Sequence, residues 1–295
     1  MKETLFLTAM RNGAKRIPLG LGVALALTFL HDNAMATPPE VDLGTANKFA
    51  VLGASTVTST GNSVVNGELV NANLGLYPGT SVTGFPPGIV NGTMHVTDAV
   101  AQQAQTDLTT AYNTAAGLTP TGNIPGQELA GLTLKPGVYS FSYSDILLDG
   151  TLTLDGEGLA DPVFVFQIGS TLTTGSDSSV VMKNDDNSAP GISVFWQVGS
   201  SATLGTDTDF EGNILAKASI SDAGGSTVDG RLLAETAAVT LIDTTITVPA
   251  AEVQGNGGNG GNGGAPAPDS GSTLLLLGSG LAALFALRRR FPSPA

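Results

Sequence analysis

A short unit recurs along this sequence: a small residue, then Thr or Ser, an aliphatic residue, and often Thr or Ser again. It stands at Ser170-Thr171-Leu172-Thr173, Ala202-Thr203-Leu204-Gly205, Ala218-Ser219-Ile220-Ser221 and Ala237-Ala238-Val239-Thr240. Looser copies occur at Ser55-Thr56-Val57-Thr58, Thr80-Ser81-Val82-Thr83 and Gly150-Thr151-Leu152-Thr153. Side chains alternate across a strand, so each copy sends its aliphatic residue one way and its hydroxyl residues the other. Threonine suits such a strand, because β-branching restricts its χ1 and presents methyl and hydroxyl in one orientation at little entropic loss. Strands of this kind laid side by side carry a grid of hydroxyls and methyls, spaced about 4.8 Å between strands and about 6.7 Å along each strand. No Lys or Glu falls within any copy. The candidate surface is Thr56, Thr58, Ser81, Thr83, Thr151, Thr153, Thr171, Thr173, Thr203, Ser219, Ser221, Ala238 and Thr240.

Bond-making chemistry finds less material. The acidic residues fall mostly at bends, as in Asp155-Gly156-Glu157-Gly158 and Asp185-Asp186-Asn187, where Asp and Asn favour turns. A solenoid lyase or hydrolase needs clustered carboxylates with a basic residue, and no such cluster stands out, so no catalytic residue is assigned and the protein is read as a non-enzyme. Once the leader is removed His95 is the only histidine. That excludes a histidine-based metal site; Ca²⁺ at turn carboxylates stays open, and no cofactor is called for.

The elements that must position the hydroxyls follow from the repeat. Ala202 to Ala218 is 16 positions and Ala218 to Ala237 is 19, too few for an independently folded unit. Each repeat must therefore stack on its neighbours, which makes an all-β solenoid. Between copies the chain returns through apolar strands such as Gly212-Asn213-Ile214-Leu215-Ala216 and Gly230-Arg231-Leu232-Leu233-Ala234. The stretch from Thr97 to Ala116 has no Gly or Pro, and Val100, Ala104, Leu108, Ala111, Tyr112 and Ala115 recur at helical spacing. It predicts one amphipathic helix over about 97–116, with Thr97 as its cap and Gly117 as its stop.

Composition agrees with an exported β protein. Gly numbers 39 of the 295 residues and charged residues are 13%, against roughly 25% in ordinary soluble domains. Residues 37–254 hold 22 acidic and 5 basic side chains, an excess of 17 negative charges that excludes nucleic acid as a partner. There is no Cys, so stacked core ladders replace disulfides.

Residues 1–36 read as a signal peptide: Lys2, Arg11, Lys15 and Arg16 precede the apolar run Ile17 to Leu30, and Ala34-Met35-Ala36 fits cleavage after Ala36. The solenoid domain then occupies 37–254, and 255–266 is a Gly/Asn/Pro linker without the Asp that calcium-binding nonapeptides need. Residues 267–295 carry Pro268-Asp269-Ser270-Gly271, an apolar run from Ser272 to Leu287, and Arg288-Arg289-Arg290. As a helix that run reaches roughly 24 Å, short of a bilayer core of about 30 Å. The arginines would face the cytoplasm, so membrane association through this segment is transient.

Two resemblances add to this reading. The tail is similar to the sorting signals of the PEP-CTERM group, most closely the Val-Pro-Asp-Ser-Gly variant, with Ala267 in place of the Val. That resemblance implies an exosortase-type processing enzyme as partner, cleavage near Pro268 to Gly271, and release from or attachment to the surface of a Gram-negative-type bacterium. The body resembles the microbial ice-binding protein family, also known as domain of unknown function 3494. The phrases that carry it are Leu43 to Leu52, Asp98 to Ala116, Gly131-Leu132-Thr133-Leu134-Lys135-Pro136-Gly137-Val138-Tyr139, Val163 to Ser170 and Val194 to Ser200. The resemblance implies a right-handed, three-sided β-helix in which both ends of the chain share the stack and the helix packs alongside. It also implies a monomer that adheres to an ice crystal surface through one flat face, as antifreeze and ice recrystallisation inhibitor. The alternative function is a surface adhesin or matrix protein that binds polysaccharide or another cell.

Overall fold

The computed structural model describes residues 38–67, 72–184 and 193–249. Among the described residues the strands are parallel throughout and build a β-solenoid with a single α-helix, and three faces follow from the pairing. Seven short strands form the first face, in the order Ile146–Leu148, Leu172–Thr174, Ala202–Leu204, Ile220–Asp222, Val239–Ile242, Thr56–Thr60 and Ser81–Thr83. The other two faces belong to one bent sheet. Strands Asp209–Ala216 and Thr227–Ala234 are eight residues long and run round the bend. Their first residues pair with Ser179 and Thr245 on the second face, and their last with Phe195–Val198 and Val51–Leu52 on the third.

Glycine makes that corner. Gly212 and Gly230 have φ of 106° and 145°, and a Cβ on Gly230 would lie 2.1 Å from the Gly212 carbonyl oxygen, so only glycine fits where two coils stack so closely.

The chain enters the stack in the middle. Val239–Ile242, the last coil of the first face, pairs with Thr56–Thr60, so the N-terminal coils continue the pile that the C-terminal coils end. From there the chain winds outward to Met94–Val96, while the next long run of coils begins at the opposite end with Gly122–Ile124. Seven strands lie between those two points, eight gaps or about 38 Å. The helix α1 (Ala99–Gly117) covers about 28 Å of it, and the short extended segments at its ends supply the rest.

Helix α1 begins one residue later than its sequence suggests. Asp98 is the cap, its Oδ1 accepting from the Ala101 amide at 2.8 Å, whereas Thr97 has φ 56° and turns its hydroxyl back to the Val96 carbonyl. The buried stripe is Ala101, Ala104, Gln105, Leu108, Ala111, Tyr112 and Ala115. Val100, expected in that stripe, is 44% exposed because at about 100° per residue it lies some 80° round from Leu108. Small alanines let α1 lie close against the third face, where Phe49, Leu52, Val163, Val165, Phe195, Leu215 and Leu233 meet it. Glutamines then fix its position. Gln105 donates to the carbonyls of Gly53 and Ala234, Gln167 to those of Ala115 and Leu118, and Gln197 to the Tyr112 hydroxyl. The middle of this face is thereby removed from solvent, while Asn123 on its end strand stays exposed. Inside the coil the aliphatic core holds an aromatic ladder, Tyr139 and Phe141 stacked on Phe166, Phe166 on Trp196 at 4.0 Å and 11°, and Phe210 tilted against Trp196, whose indole N–H donates to the Glu211 carbonyl.

Candidate functional site

Two faces remain open to solvent, and they differ in chemistry. On the first, the pairing register aligns one outward residue per coil into a central row: Leu147, Thr173, Thr203, Ser221, Thr240, Thr58 and Thr83. The residues two positions earlier form a parallel flanking row of Asp145, Thr171, Ser201, Ser219, Ala238, Thr56 and Ser81. Between them point the inward residues Ile146, Leu172, Ala202, Ile220, Val239 and Val57, all buried. Period-two alternation is therefore kept on every coil, and a one-residue slip on any of them would turn its hydroxyls into the core.

Of the thirteen residues singled out from the sequence, eleven share this face. Thr151 and Thr153 do not. They lie on the second face, paired with Ser179 and Val181 in one direction, while Thr133 pairs with Thr153 in the other. The pattern of Gly150-Thr151-Leu152-Thr153 matches the other copies, but this strand follows the first-face strand Ile146–Leu148 round the next corner. The true neighbour of Thr171 is Asp145, 26 positions upstream, whose Oδ1 accepts from the Thr171 hydroxyl at 2.9 Å. Thr171 is consequently half-buried instead of freely exposed. Hydrogen bonds from the Ser170 and Thr171 hydroxyls and the Thr171 amide hold the Asp145 carboxyl below its usual range.

The corner beyond the central row is locked from inside. Thr174 and Thr208 share a 2.8 Å bond between their hydroxyls, and Thr174 accepts from the Gly205 amide. Further along, buried Asp222 accepts from Ser226 and Thr244, and Ser63 accepts from the Thr244 amide. Asp177, Asp207 and Asp243 take the left-handed turn positions at φ 57°, 55° and 48°, a conformation that Asp tolerates better than most residues. Buried polar groups paired in this way hold successive coils in one register, which keeps the face regular.

The second face carries charge where the first carries hydroxyls. Asp155 and Lys183 are paired in register, and Asp209, Glu211 and Asp229 follow on adjoining strands. The remaining groups with chemical potential are occupied structurally. His95 pairs with Asp98 at 2.7 Å and packs edge-on to Phe49, and fully buried Arg231 donates to the Asn47 carbonyl and to Asn213 Oδ1. Neither the burial of Arg231 nor the role of Asp98 was visible in spacing alone. Among the described residues no group of three or more His, Cys, Asp or Glu side chains converges as a metal site.

Residues 51–247 match the family model described as ice-binding-like. The chain belongs to that family. It is 52% identical over 251 residues to an ice-binding protein of Nostoc sp. (strain HG1), covering 84% of this chain and 87% of the relative. Its structure is similar to that of an ice-binding protein from the Antarctic ascomycete Antarctomyces psychrotrophicus, with a TM-score of 0.66 and 42% identity over 71% of this chain and 98% of the other. An ice binding protein from an Antarctic biological consortium gives a TM-score of 0.64 and 40% identity over 79% and 96%. Residues 268–291 match the VPDSG-CTERM motif, a signal of extracellular or cell-surface proteins. The predicted cleavage residue Ala36, the sorting residues Pro268, Asp269, Ser270 and Gly271, and Arg288, Arg289 and Arg290 lie outside the described residues.

Proposed function

We propose that this protein adsorbs to ice through the hydroxyl face, as a secreted or surface-attached antifreeze and recrystallisation inhibitor. One observation carries the reading: from Thr173 to Thr83 the central and flanking rows of six registered coils bear only hydroxyl and small side chains, whereas the other open face bears Asp209, Glu211, Asp229 and Lys183. A rigid grid of this kind holds water in an ordered layer without ordering its own side chains at the moment of docking, because β-branched threonines have little rotamer freedom to lose. The ice-binding names of the Nostoc and Antarctomyces relatives support the same ligand. The mechanism is adsorption, and no step of it needs a cofactor or a bond-breaking residue.

The tail supports a processing partner of the exosortase type acting near Pro268 to Gly271, in a Gram-negative-type envelope, with residues 272–287 touching the membrane only in transit. Ice affinity partition of the full chain tests the main reading. The protein is expected in the ice fraction, and recovery in the liquid with normal ice growth would favour the adhesin alternative instead.

A further inference from the structure

The two rows of the hydroxyl face are not equivalent. In the flanking row the hydroxyls from Thr171 to Ser219 are engaged with protein: Thr171 donates to Asp145 at 2.9 Å, and Ser201 and Ser219 share a bond at 3.0 Å, with the Ser219 amide also directed at Ser201. These three side chains are half-buried, while Thr56 and Ser81 beyond Ala238 carry no such bond among the described residues. In the central row the hydroxyls of Thr173, Thr203, Ser221 and Thr83 have no hydrogen-bond partner among the described residues, and Thr173, Thr203 and Thr83 are exposed. The one lateral contact in that row, Thr58 to Thr240, is 3.4 Å long, well beyond the usual 2.7–2.8 Å for hydroxyl pairs.

A hydroxyl has one proton to donate and two lone pairs. When Thr171 gives its proton to a carboxylate, or two serines share one between them, less remains to template water. A free threonine hydroxyl beside its own methyl keeps all of it. We infer that the rows divide the work: the central row Thr173-Thr203-Ser221-Thr240-Thr58-Thr83 orders the water that joins ice. The flanking row from Asp145 to Ser219, pinned by the Asp145 carboxylate, is a positioning row that holds the coils flat. This assignment rests on the ice-binding reading and narrows it from a face to a line of side chains.

A matched pair of double substitutions tests it in the full chain. Thr203→Ala with Ser221→Ala strips two hydroxyls and one methyl from the central row, and Thr171→Ala with Ser201→Ala strips the same groups from the flanking row. Adsorption to ice and thermal hysteresis are measured beside the melting curve. The central variant is expected to adsorb about tenfold or more weakly at an unchanged melting temperature, two solvent-facing contacts being lost. The flanking variant is expected to melt earlier, by a few degrees, yet to adsorb within about twofold of the parent while folded. Single Thr203→Ala guards against an unfolded double variant and should show the same loss in part. Equal losses in both rows, a larger loss in the flanking row, or no loss in either overturns the division. A parent that does not adsorb at all would instead sink the ice-binding reading, and the division with it.

Discussion

Replacing Thr203 by tyrosine is the sharpest perturbation of the hydroxyl face. Thr203 is an exposed central-row residue registered between Thr173 and Ser221, each about 4.8 Å away, while Leu204 and Ala202 beside it point inward. A phenol ring rises above the threonine methyls by more than one hydrogen-bond length of water, about 2.8 Å, so an ordered layer cannot close over its own coil or the two adjoining ones. Three of seven coils then lose contact. At about 1 kcal/mol per anchored hydroxyl this is about 3 kcal/mol, or roughly two orders of magnitude in the adsorption constant. The control is Thr227→Tyr, exposed on the charged face between Asp209 and Thr245. Neither side chain touches the core, so each variant should keep its stability within about 0.5 kcal/mol, a shift of about 1–2 °C in a domain of this size. The assay is thermal hysteresis and crystal shape beside the melting temperature. If Thr203→Tyr melts like the parent and shapes ice equally well, or if Thr227→Tyr alone abolishes shaping, the hydroxyl face is an ordinary solvated side and the reasoning fails.

Three further outcomes follow from particular residues. Leu147 occupies the central row at the end coil, so Leu147→Thr should extend the grid and raise adsorption without moving the melting temperature by more than about 2 °C; unchanged adsorption would place the ice contact away from that end. Asp98→Ala removes the cap of α1 and should cost about 1 kcal/mol at neutral pH, seen as about 2–4 °C in melting. The Ala101 amide and then His95 hold the Asp98 carboxyl below its ordinary 3.8, so its stabilisation is present above that value and is lost as pH falls through the lower folded value. Parent and variant melting curves should therefore converge in strong acid, and a gap that persists there would show that the cap is not the cause. Mass spectrometry of protein recovered from the medium should find the chain ending near Pro268 to Gly271, and an intact Ala295 terminus would refute processing.

The repeat was legible because burial imposes alternation: each coil must bury an aliphatic residue between two outward ones, and the pattern survives replacement of Thr by Ser or Ala. The helix was legible for the same reason at another period. Which coil stacks on which was not. Thr151-Leu152-Thr153 and Thr171-Leu172-Thr173 read alike, since any one-sided strand of a solenoid looks the same whichever side it lies on. What separates their faces is the corner at Asp149-Gly150: Thr151–Asp155 follows it directly after the first-face strand Ile146–Leu148, whereas Leu172–Thr174 is itself the first-face strand of the next coil. Conversely Ile146-Leu147-Leu148 hides a hydroxyl-face coil, because its outward position is filled by leucine. The cap at Asp98 was missed through the competing signal of Thr97, whose φ of 56° excludes it from the helix start.

The order of the coils explains why the hydroxyl face can be rigid without disulfides. Five of its strands come from the C-terminal run of coils and two from the N-terminal segment, joined where Val57 to Thr60 pair with Val239 to Ile242. Unravelling from either chain end would have to begin at that joint, in the middle of the stack, where neighbours cover both sides. Helix α1 ties the two runs together across the third face: Gln105 on the helix bonds Gly53 from the N-terminal segment and Ala234 from the C-terminal one. Glu235, reached from the helix by Thr109, in turn holds Lys217 over the Tyr112 ring. The face that meets water is thus held flat by contacts on the face that the helix covers.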